Sequence, residues 1–161
     1  MVLKNKRNML WLILSLVVIV LDQLSKYWVV THLVYGQPWV VLPIFNLTLT
    51  SNPGAAFNFL SSADGWQRWL FTAIALVVAI YILYWLLYSG KKDYLLKTGL
   101  SLVLGGALGN LIDRLHYGFV IDFIQVHYQP WYFPDFNVAD SAITVGAVFI
   151  ILTLLFKREA A

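Results

Sequence analysis

Long apolar segments alternate with more polar connections along the chain. The apolar segments cover about residues 9–30, 69–88, 95–115 and 138–156, and the two longer connections cover about residues 31–68 and 116–137. A helix needs about 20 mostly apolar residues to cross a bilayer, and each segment reaches about that length. The pattern therefore predicts one integral membrane domain over residues 1–161, with four spanning helices.

The first connection has a different pattern from the helices around it. Residues 45–50, Phe-Asn-Leu-Thr-Leu-Thr, alternate between apolar and polar, as in a half-buried strand. Several prolines exclude a long helix there, and Asn52-Pro53-Gly54 is a turn signal. We therefore predict an all-α membrane protein, a bundle of four transmembrane helices with a small extracytoplasmic β element and a loop at the membrane surface.

The start of the first segment allows two interpretations. Basic residues precede a short apolar run, which is also the pattern of a secretory signal peptide. No small-x-small cleavage site follows the run, and the segment continues through Asp22 and Lys26 to Val30. We therefore predict an uncleaved first span.

The composition agrees with a membrane location. The 161 residues are 60% hydrophobic and 12% charged, and a soluble domain of this length cannot bury so much apolar side chain. The absence of cysteine excludes disulfides, thiolate metal sites and a cysteine nucleophile. The net charge of +3 includes no basic tract, so nucleic acid is not an expected partner.

The distribution of cations predicts the orientation in the membrane. Lys26, Arg68 and Arg114 lie toward one side. The remaining cations lie toward the other side: Lys4, Lys6, Arg7, Lys91, Lys92, Lys97, Lys157 and Arg158. Because cytoplasmic loops carry an excess of Lys and Arg, we predict that both termini are cytoplasmic. Both large connections would then lie on the extracytoplasmic side.

Three aspartates stand at or near the ends of apolar runs, where an ionisable group is costly and usually functional. Each has its own structural alternative. Asp140 suits a helix N-cap or a first helical turn. Asp113, next to Arg114, suits an ion pair or a hydrogen-bonded brace. Asp122 could be a solvated loop acid, but its apolar neighbours disfavour this. It has no cation near it in the sequence, and burial there would raise its pKa.

Two of these carboxyl groups, brought close together, would share a proton. The ionised group could take a proton from water while the protonated group polarises a carbonyl, as in aspartic proteases. A short loop would bring Asp122 back to the start of the fourth span, beside Asp140. The histidines lack a metal-ligand spacing, so we expect no metal.

Other polar and small residues favour structural roles. Asp22 and Lys26 lie four residues apart on one helix face, which favours an ion pair. Gly105 and Gly109 form a GxxxG step that allows close helix packing. Asn52 suits a turn, with a contact to substrate as the alternative.

These motifs together resemble the lipoprotein signal peptidase family, signal peptidase II of bacteria. The matching blocks are Asp22-Gln23-Leu24-Ser25-Lys26, Asn52-Pro53-Gly54-Ala55-Ala56, Gly109-Asn110-Leu111-Ile112-Asp113-Arg114-Leu115, Val120-Ile121-Asp122-Phe123 and Phe136-Asn137-Val138-Ala139-Asp140-Ser141. The resemblance covers nearly the whole chain, with the blocks in order on four spans.

The resemblance implies an aspartyl endopeptidase of the bacterial inner membrane that needs no cofactor. Its substrates would be diacylglyceryl-prolipoproteins, cut just before the lipidated cysteine. The implied catalytic pair is Asp122 and Asp140. Substrate-contacting or site-shaping positions would be Asn52, Gly54, Asn110, Arg114 and Asn137, with Asp22, Lys26 and Asp113 in supporting roles. Membrane lipids and the cyclic peptide inhibitor globomycin are the other implied partners.

Two other classes of function are open to such a chain. A proton-coupled transporter would use the acids as relay sites, and an assembly factor would dock through the GxxxG step. The acids gather toward one side of the membrane instead of crossing it, which disfavours the transporter.

Overall fold

Four long helices and a small sheet form the part of the chain that the computed structural model describes, residues 9–54, 65–88 and 93–158. The helices are α1 (Trp11–His32), α2 (Gln67–Tyr88), α3 (Tyr94–His116) and α4 (Val138–Arg158). Each has a stretch long and apolar enough to cross a membrane, which in α4 ends at Phe156. The predicted four-helix membrane fold is confirmed, and the single domain over residues 1–161 stays a prediction. Several residues used above lie outside the described residues: Lys4, Lys6, Arg7, Ala55, Ala56, Lys91 and Lys92.

Helix α3 lies at the centre of the bundle. It packs against α1, α2 and α4, and 67% of its spanning stretch is buried inside the protein, against 28% or less in each of the other three. Leu96, Leu100 and Leu104 of α3 form a hydrophobic cluster with buried side chains of α2. Large apolar side chains on the outer faces of α1, α2 and α4 remain exposed, which suits surfaces in contact with lipid.

Glycines let α1 approach α3 closely. A Cβ atom at Gly105 would lie 2.7 Å from Cβ of Val18 and 2.8 Å from the main-chain oxygen of Ser15. A Cβ atom at Gly109 would lie 2.6 Å from Oδ2 of Asp22. Side chains do not tolerate such short contacts, so the GxxxG step provides close packing inside the chain, as predicted. Because α1 covers these glycines, the step is not a free docking surface.

The sheet joins the two large connections. Its strands are β1 (Trp39–Leu42), β2 (Phe45–Asn52), β3 (Val120–Tyr128) and β4 (Trp131–Tyr132), in that spatial order and antiparallel. Strand β2 confirms the strand predicted from the alternation at residues 45–50. Thr50 lies opposite Asp122 and Asn52 lies opposite Val120, so the pairing of β2 with β3 brings the turn after β2 close to Asp122.

The second connection differs from its prediction as a loop. It contains β3 and β4, so Asp122 lies on a strand and not on a flexible segment. All residues from Val120 to Phe123 are buried, and a strand that is buried on both faces has no alternating pattern in its sequence. The strand holds Asp122 in a fixed position relative to the helices.

Replacing Gly105 with alanine tests the packing of α1 on α3. The added methyl group has no room beside Val18 and Ser15, so we expect the unfolding midpoint in detergent to fall, with a loss of roughly 1–3 kcal/mol in unfolding free energy. Without that contact, the change would stabilise the helix by about 1 kcal/mol through helix propensity. A raised midpoint would therefore contradict the close packing.

Candidate active site

Polar side chains converge where α1, α3 and the start of α4 meet β3. The structure brings together all the residues that the sequence analysis assigned to the site: Asp22, Lys26, Asn52, Gly54, Asn110, Asp113, Arg114, Asp122, Asn137 and Asp140. They are linked through one continuous set of hydrogen bonds and ion pairs. Their roles in a reaction stay predictions.

Asp22, Lys26 and Asp113 form a buried ion cluster. Nζ of Lys26 lies 2.8 Å from Oδ2 of Asp22 and 2.7 Å from Oδ2 of Asp113. The three residues are at most 1% exposed. The predicted pair of Asp22 and Lys26 is confirmed. Asp113 also has a structural partner, but that partner is Lys26 from α1 and not the adjacent Arg114, which the sequence suggested.

The ion cluster also accepts hydrogen bonds from the main chain. Oδ1 of Asp22 accepts from the main-chain N–H of Ala139 at 2.9 Å. Oδ2 of Asp113 accepts from the main-chain N–H of Ile121 at 3.1 Å. Ala139 immediately precedes Asp140 and Ile121 immediately precedes Asp122, so the cluster holds the backbone next to both of these aspartates.

Asp122 and Asp140, the aspartate pair, are linked through two asparagine amides. Nδ2 of Asn137 donates to Oδ1 of Asp122 at 2.7 Å, and Nδ2 of Asn110 donates to Oδ1 of Asp140 at 2.8 Å. Oδ1 of Asn110 accepts from Nδ2 of Asn137 at 3.3 Å and from Nζ of Lys26 at 3.1 Å. Because Lys26 can only donate, it fixes the orientation of the Asn110 amide, whose nitrogen must then face Asp140.

Asn137 is the N-cap of α4. Its Oδ1 accepts from the main-chain N–H of Asp140 at 2.9 Å, which satisfies one of the free donors at the helix start. Asp140 therefore lies in the first turn and is not the cap, so one of its two structural alternatives is wrong. Its carboxylate remains available to face Asp122.

The turn after β2 supplies another donor to the aspartate pair. Nδ2 of Asn52 donates to Oδ2 of Asp122 at 3.1 Å, while its Oδ1 accepts from the main-chain N–H of Gly54 at 3.0 Å. Nη2 of Arg114 donates to the main-chain oxygen of Gly54 at 3.1 Å. The predicted turn at Asn52-Pro53-Gly54 is thus fastened to α3 and directs the Asn52 amide toward Asp122.

The electrostatic setting of the aspartate pair differs from that of the ion cluster. Within the described residues, no cation forms an ion pair with Asp122 or Asp140. Burial, followed by the charge of Asp140, raises the pKa of Asp122 to about 7, against the opposing effects of the Asn52 and Asn137 amides and of Lys26. Near neutral pH the pair can therefore hold one shared proton.

Sequence reasoning missed two residues that support the site. Gln23 stands in the first motif block but was given no role, and its Nε2 donates to Oδ1 of Asp113 at 2.9 Å. Thr50 donates from its hydroxyl to the main-chain oxygen of Asp122 at 3.2 Å, which no local pattern indicates.

In the described part of the chain, no three His, Cys, Asp or Glu side chains are grouped so that they could hold a metal ion.

Known proteins resemble the chain in sequence and in fold. A family model described as Signal peptidase (SPase) II matches residues 14–156. A lipoprotein signal peptidase of Acinetobacter baumannii (strain ATCC 17978) is 52% identical over 152 residues, 94% of this chain and 86% of that protein. One of Coxiella burnetii (strain Dugway 5J108-111) is 49% identical over 157 residues, 98% of this chain and 96% of that protein. A solved structure of a bacterial membrane enzyme is 33% identical, with a TM-score of 0.83 over 92% of this chain and 88% of that chain.

Replacing Lys26 with methionine tests the ion cluster. The change leaves two buried carboxylates without their cation, and we expect a loss of roughly 3–5 kcal/mol in unfolding free energy in detergent. Tyr27→Met is the control, because Tyr27 is the next residue of the same helix and is 69% exposed. Equal unfolding midpoints for the two variants would contradict a buried ion cluster.

Proposed function

Because the chain belongs to the signal peptidase II family, we propose that it is an aspartyl endopeptidase that removes signal peptides from diacylglyceryl-modified prolipoproteins. Cleavage occurs just before the lipidated cysteine. The relatives named above are lipoprotein signal peptidases, and the chain matches them over nearly its full length. The proposal covers the substrate, the cleavage position and the residues that carry out the reaction.

Four aspartates lie close together, and only two of them have a cation as partner. This difference is the observation that carries the assignment of the catalytic pair. Lys26 forms ion pairs with Asp22 and Asp113. Asp122 and Asp140 receive amide donors in place of a cation. A carboxylate held in an ion pair is a poor proton carrier, whereas two carboxyl groups that share a proton can act as acid and base. We therefore assign catalysis to Asp122 and Asp140.

The reaction uses one water molecule between the two carboxyl groups. The ionised group takes a proton from water as the oxygen attacks the carbonyl carbon of the residue before the cysteine, while the protonated group donates a hydrogen bond to the carbonyl oxygen. The tetrahedral intermediate collapses, the carbon–nitrogen bond breaks, and the nitrogen receives a proton. The products are a free carboxyl group on the signal peptide and a free amino group on the cysteine.

The remaining polar residues orient the reacting groups and the substrate. Asn110 and Asn137 hold Asp140 and Asp122 through their amides. Asn52, Gly54 and Arg114 shape the wall of the site formed by the turn after β2, where they can contact an extended peptide. Well-oriented groups of this kind lower the barrier because they require little rearrangement during the reaction.

The proposed setting is the inner membrane of a bacterium. With four spans, both termini would lie on the same side, and the excess of cations at that side supports a cytoplasmic location. The aspartate pair and the sheet then lie at the extracytoplasmic face. The acyl chains of the substrate remain among membrane lipids while its peptide reaches the pair. Globomycin, a cyclic peptide, is expected to occupy the same site.

The alternative functions have less support. A transporter needs polar groups across the membrane, whereas the described acids of the site collect at one end of the bundle. An assembly factor that docks through the GxxxG step needs a free surface there, and α1 covers Gly105 and Gly109.

Replacing either member of the aspartate pair tests the proposed catalysis. We expect Asp122→Asn and Asp140→Asn each to reduce kcat by at least about 10³-fold, because an amide cannot exchange the proton that the reaction requires. The measurement is cleavage of a purified diacylglyceryl-prolipoprotein in detergent, followed by gel shift.

The matched control is Asp135→Asn. The Asp135 carboxylate accepts from Gln125 and shares the hydroxyl hydrogen of Thr50 with the main-chain oxygen of Asp122. It has no described contact with either carboxyl group of the pair, and an asparagine oxygen can still accept from both donors. We expect this variant to cleave at close to the normal rate. Normal cleavage by a folded Asp122→Asn or Asp140→Asn variant would contradict the assignment.

The same assay with an unlipidated substrate tests the lipid requirement. Equal cleavage of the lipidated and unlipidated substrates would contradict that requirement.

The pH dependence of kcat/KM tests the shared proton. Asp122 is protonated below its raised pKa of about 7, and the pair loses its last proton as the pH rises through that value. We therefore expect kcat/KM to fall on the alkaline side with an apparent pKa of about 7 that belongs to the pair. The unfolding midpoint measured at each pH separates this loss from unfolding, and a flat profile to about pH 9 would contradict the shared proton.

A further inference from the structure

Gln23 contacts both carboxylates of the ion cluster from α1. The two hydrogens of its Nε2 are shared among three acceptors: Oδ1 of Asp113 at 2.9 Å, Oδ2 of Asp22 at 3.2 Å and the main-chain oxygen of Gly109 at 3.2 Å. Among the described residues, Gln23 supplies the donor to Oδ1 of Asp113, because Lys26 and Ile121 both bond to Oδ2. Gln23 is therefore placed to fix the rotation of the Asp113 carboxylate.

Each of these carboxylates holds the backbone next to one member of the aspartate pair. Asp113 accepts from the N–H of Ile121, the residue before Asp122. Asp22 accepts from the N–H of Ala139, the residue before Asp140. A rotation of either carboxylate would lengthen one of these hydrogen bonds, so the positions of the two main-chain segments depend on the orientation of Asp22 and Asp113.

The chemistry of two carboxyl groups is sensitive to their separation. The interaction between their charges changes with distance, and so does the proton affinity of the pair. An attacking water must also lie within reach of both groups, and a displacement of about 1 Å can reduce a rate by about 10²-fold. A side chain that controls the separation therefore affects the reaction without touching the substrate.

We propose that Gln23 is a positioning residue for the hydrolysis. Its amide joins Asp22 and Asp113, so that the main-chain segments before Asp122 and Asp140 keep a fixed separation. Lys26 supplies the positive charge of the ion cluster, while Gln23 supplies the neutral donor that sets the angle of the Asp113 carboxylate. This inference rests on the proposed function, because it assigns the reaction to Asp122 and Asp140.

Gln23→Met is the direct test, because methionine has a similar length and no donor. Ser25→Ala is the matched control, since Ser25 lies in the same helix and its hydroxyl donates to the main-chain oxygen of Asp22, not to a carboxylate. We expect Gln23→Met to lower kcat by about tenfold or more, with KM changed by less than about twofold, because the Gln23 amide is engaged by the ion cluster and is proposed to act through it. Ser25→Ala should leave both values close to those of the wild type.

The alkaline limb of the kcat/KM profile gives a readout that a loss of stability alone would not change. The charged side chains around the pair are Asp22 and Lys26 of α1, and Asp113 and Arg114 of α3. Gln23→Met changes none of these charges, so a shifted limb reports a changed separation. An unchanged kcat and an unchanged limb, even with a lower unfolding midpoint, would overturn the proposal.

Gln23→Asn provides a second variant in case Gln23→Met does not fold. It retains the amide but shortens its reach, so we expect it to fold and to lose less kcat than Gln23→Met. An unchanged kcat of Gln23→Asn would overturn the proposal. Infrared titration of the Asp122 carboxyl group tests the positioning role without a substrate, with the band assigned by its loss in Asp122→Asn. If this band titrates identically in the wild type and in the Gln23 variants, the positioning role is overturned. Failure of the wild type to cleave a prolipoprotein would instead overturn the proposed function.

Discussion

The buried ion cluster of Asp22, Lys26 and Asp113 is the interaction on which the rest of the site depends. Removing three charged groups from water costs several kcal/mol for each, and one cation cannot neutralise two carboxylates. The remaining negative charge must be stabilised by hydrogen-bond donors. Those donors are the main-chain N–H groups of Ile121 and Ala139, together with the Gln23 amide. The requirement to stabilise a buried charge therefore determines where the backbone before Asp122 and Asp140 lies.

The ion cluster and the aspartate pair contain two kinds of buried aspartate at the same end of the helix bundle. The difference between the two kinds arises from their neighbours. Asp22 and Asp113 share an ion pair with Lys26, whereas Asp122 meets amide groups and the like charge of Asp140. Asparagine amides suit this second setting, because they satisfy carboxylate oxygens without adding a positive charge that would keep both groups ionised. Asparagine in place of a cation thus allows the pair to share a proton, which the proposed reaction requires.

The sequence predicted the elements with a local signal and missed those without one. Apolar length identified the four helices, and alternation identified β2. Strand β3 was missed because Val120 to Phe123 are buried on both faces. The Asp22–Lys26 pair followed from helical spacing, but the contact between Lys26 and Asp113 joins distant parts of the chain, and no local pattern marks it. The motif blocks indicated which residues belong to the site, and the resemblance separated Asp122 and Asp140 from Asp22 and Asp113. Only their positions in space show the physical basis of that separation, which is that Lys26 pairs with Asp22 and Asp113.

Helix packing and charge stabilisation depend on each other in this fold. Gly109 leaves space for the Asp22 carboxylate, since a Cβ atom there would lie 2.6 Å from Oδ2. Through that space Asp22 reaches past α3 to the N–H of Ala139 in α4. A side chain at position 109 would meet the Asp22 carboxylate and displace the acceptor that holds the start of α4. Helix α1 supplies neither member of the aspartate pair, yet the position of Asp140 depends on how closely α1 approaches α3.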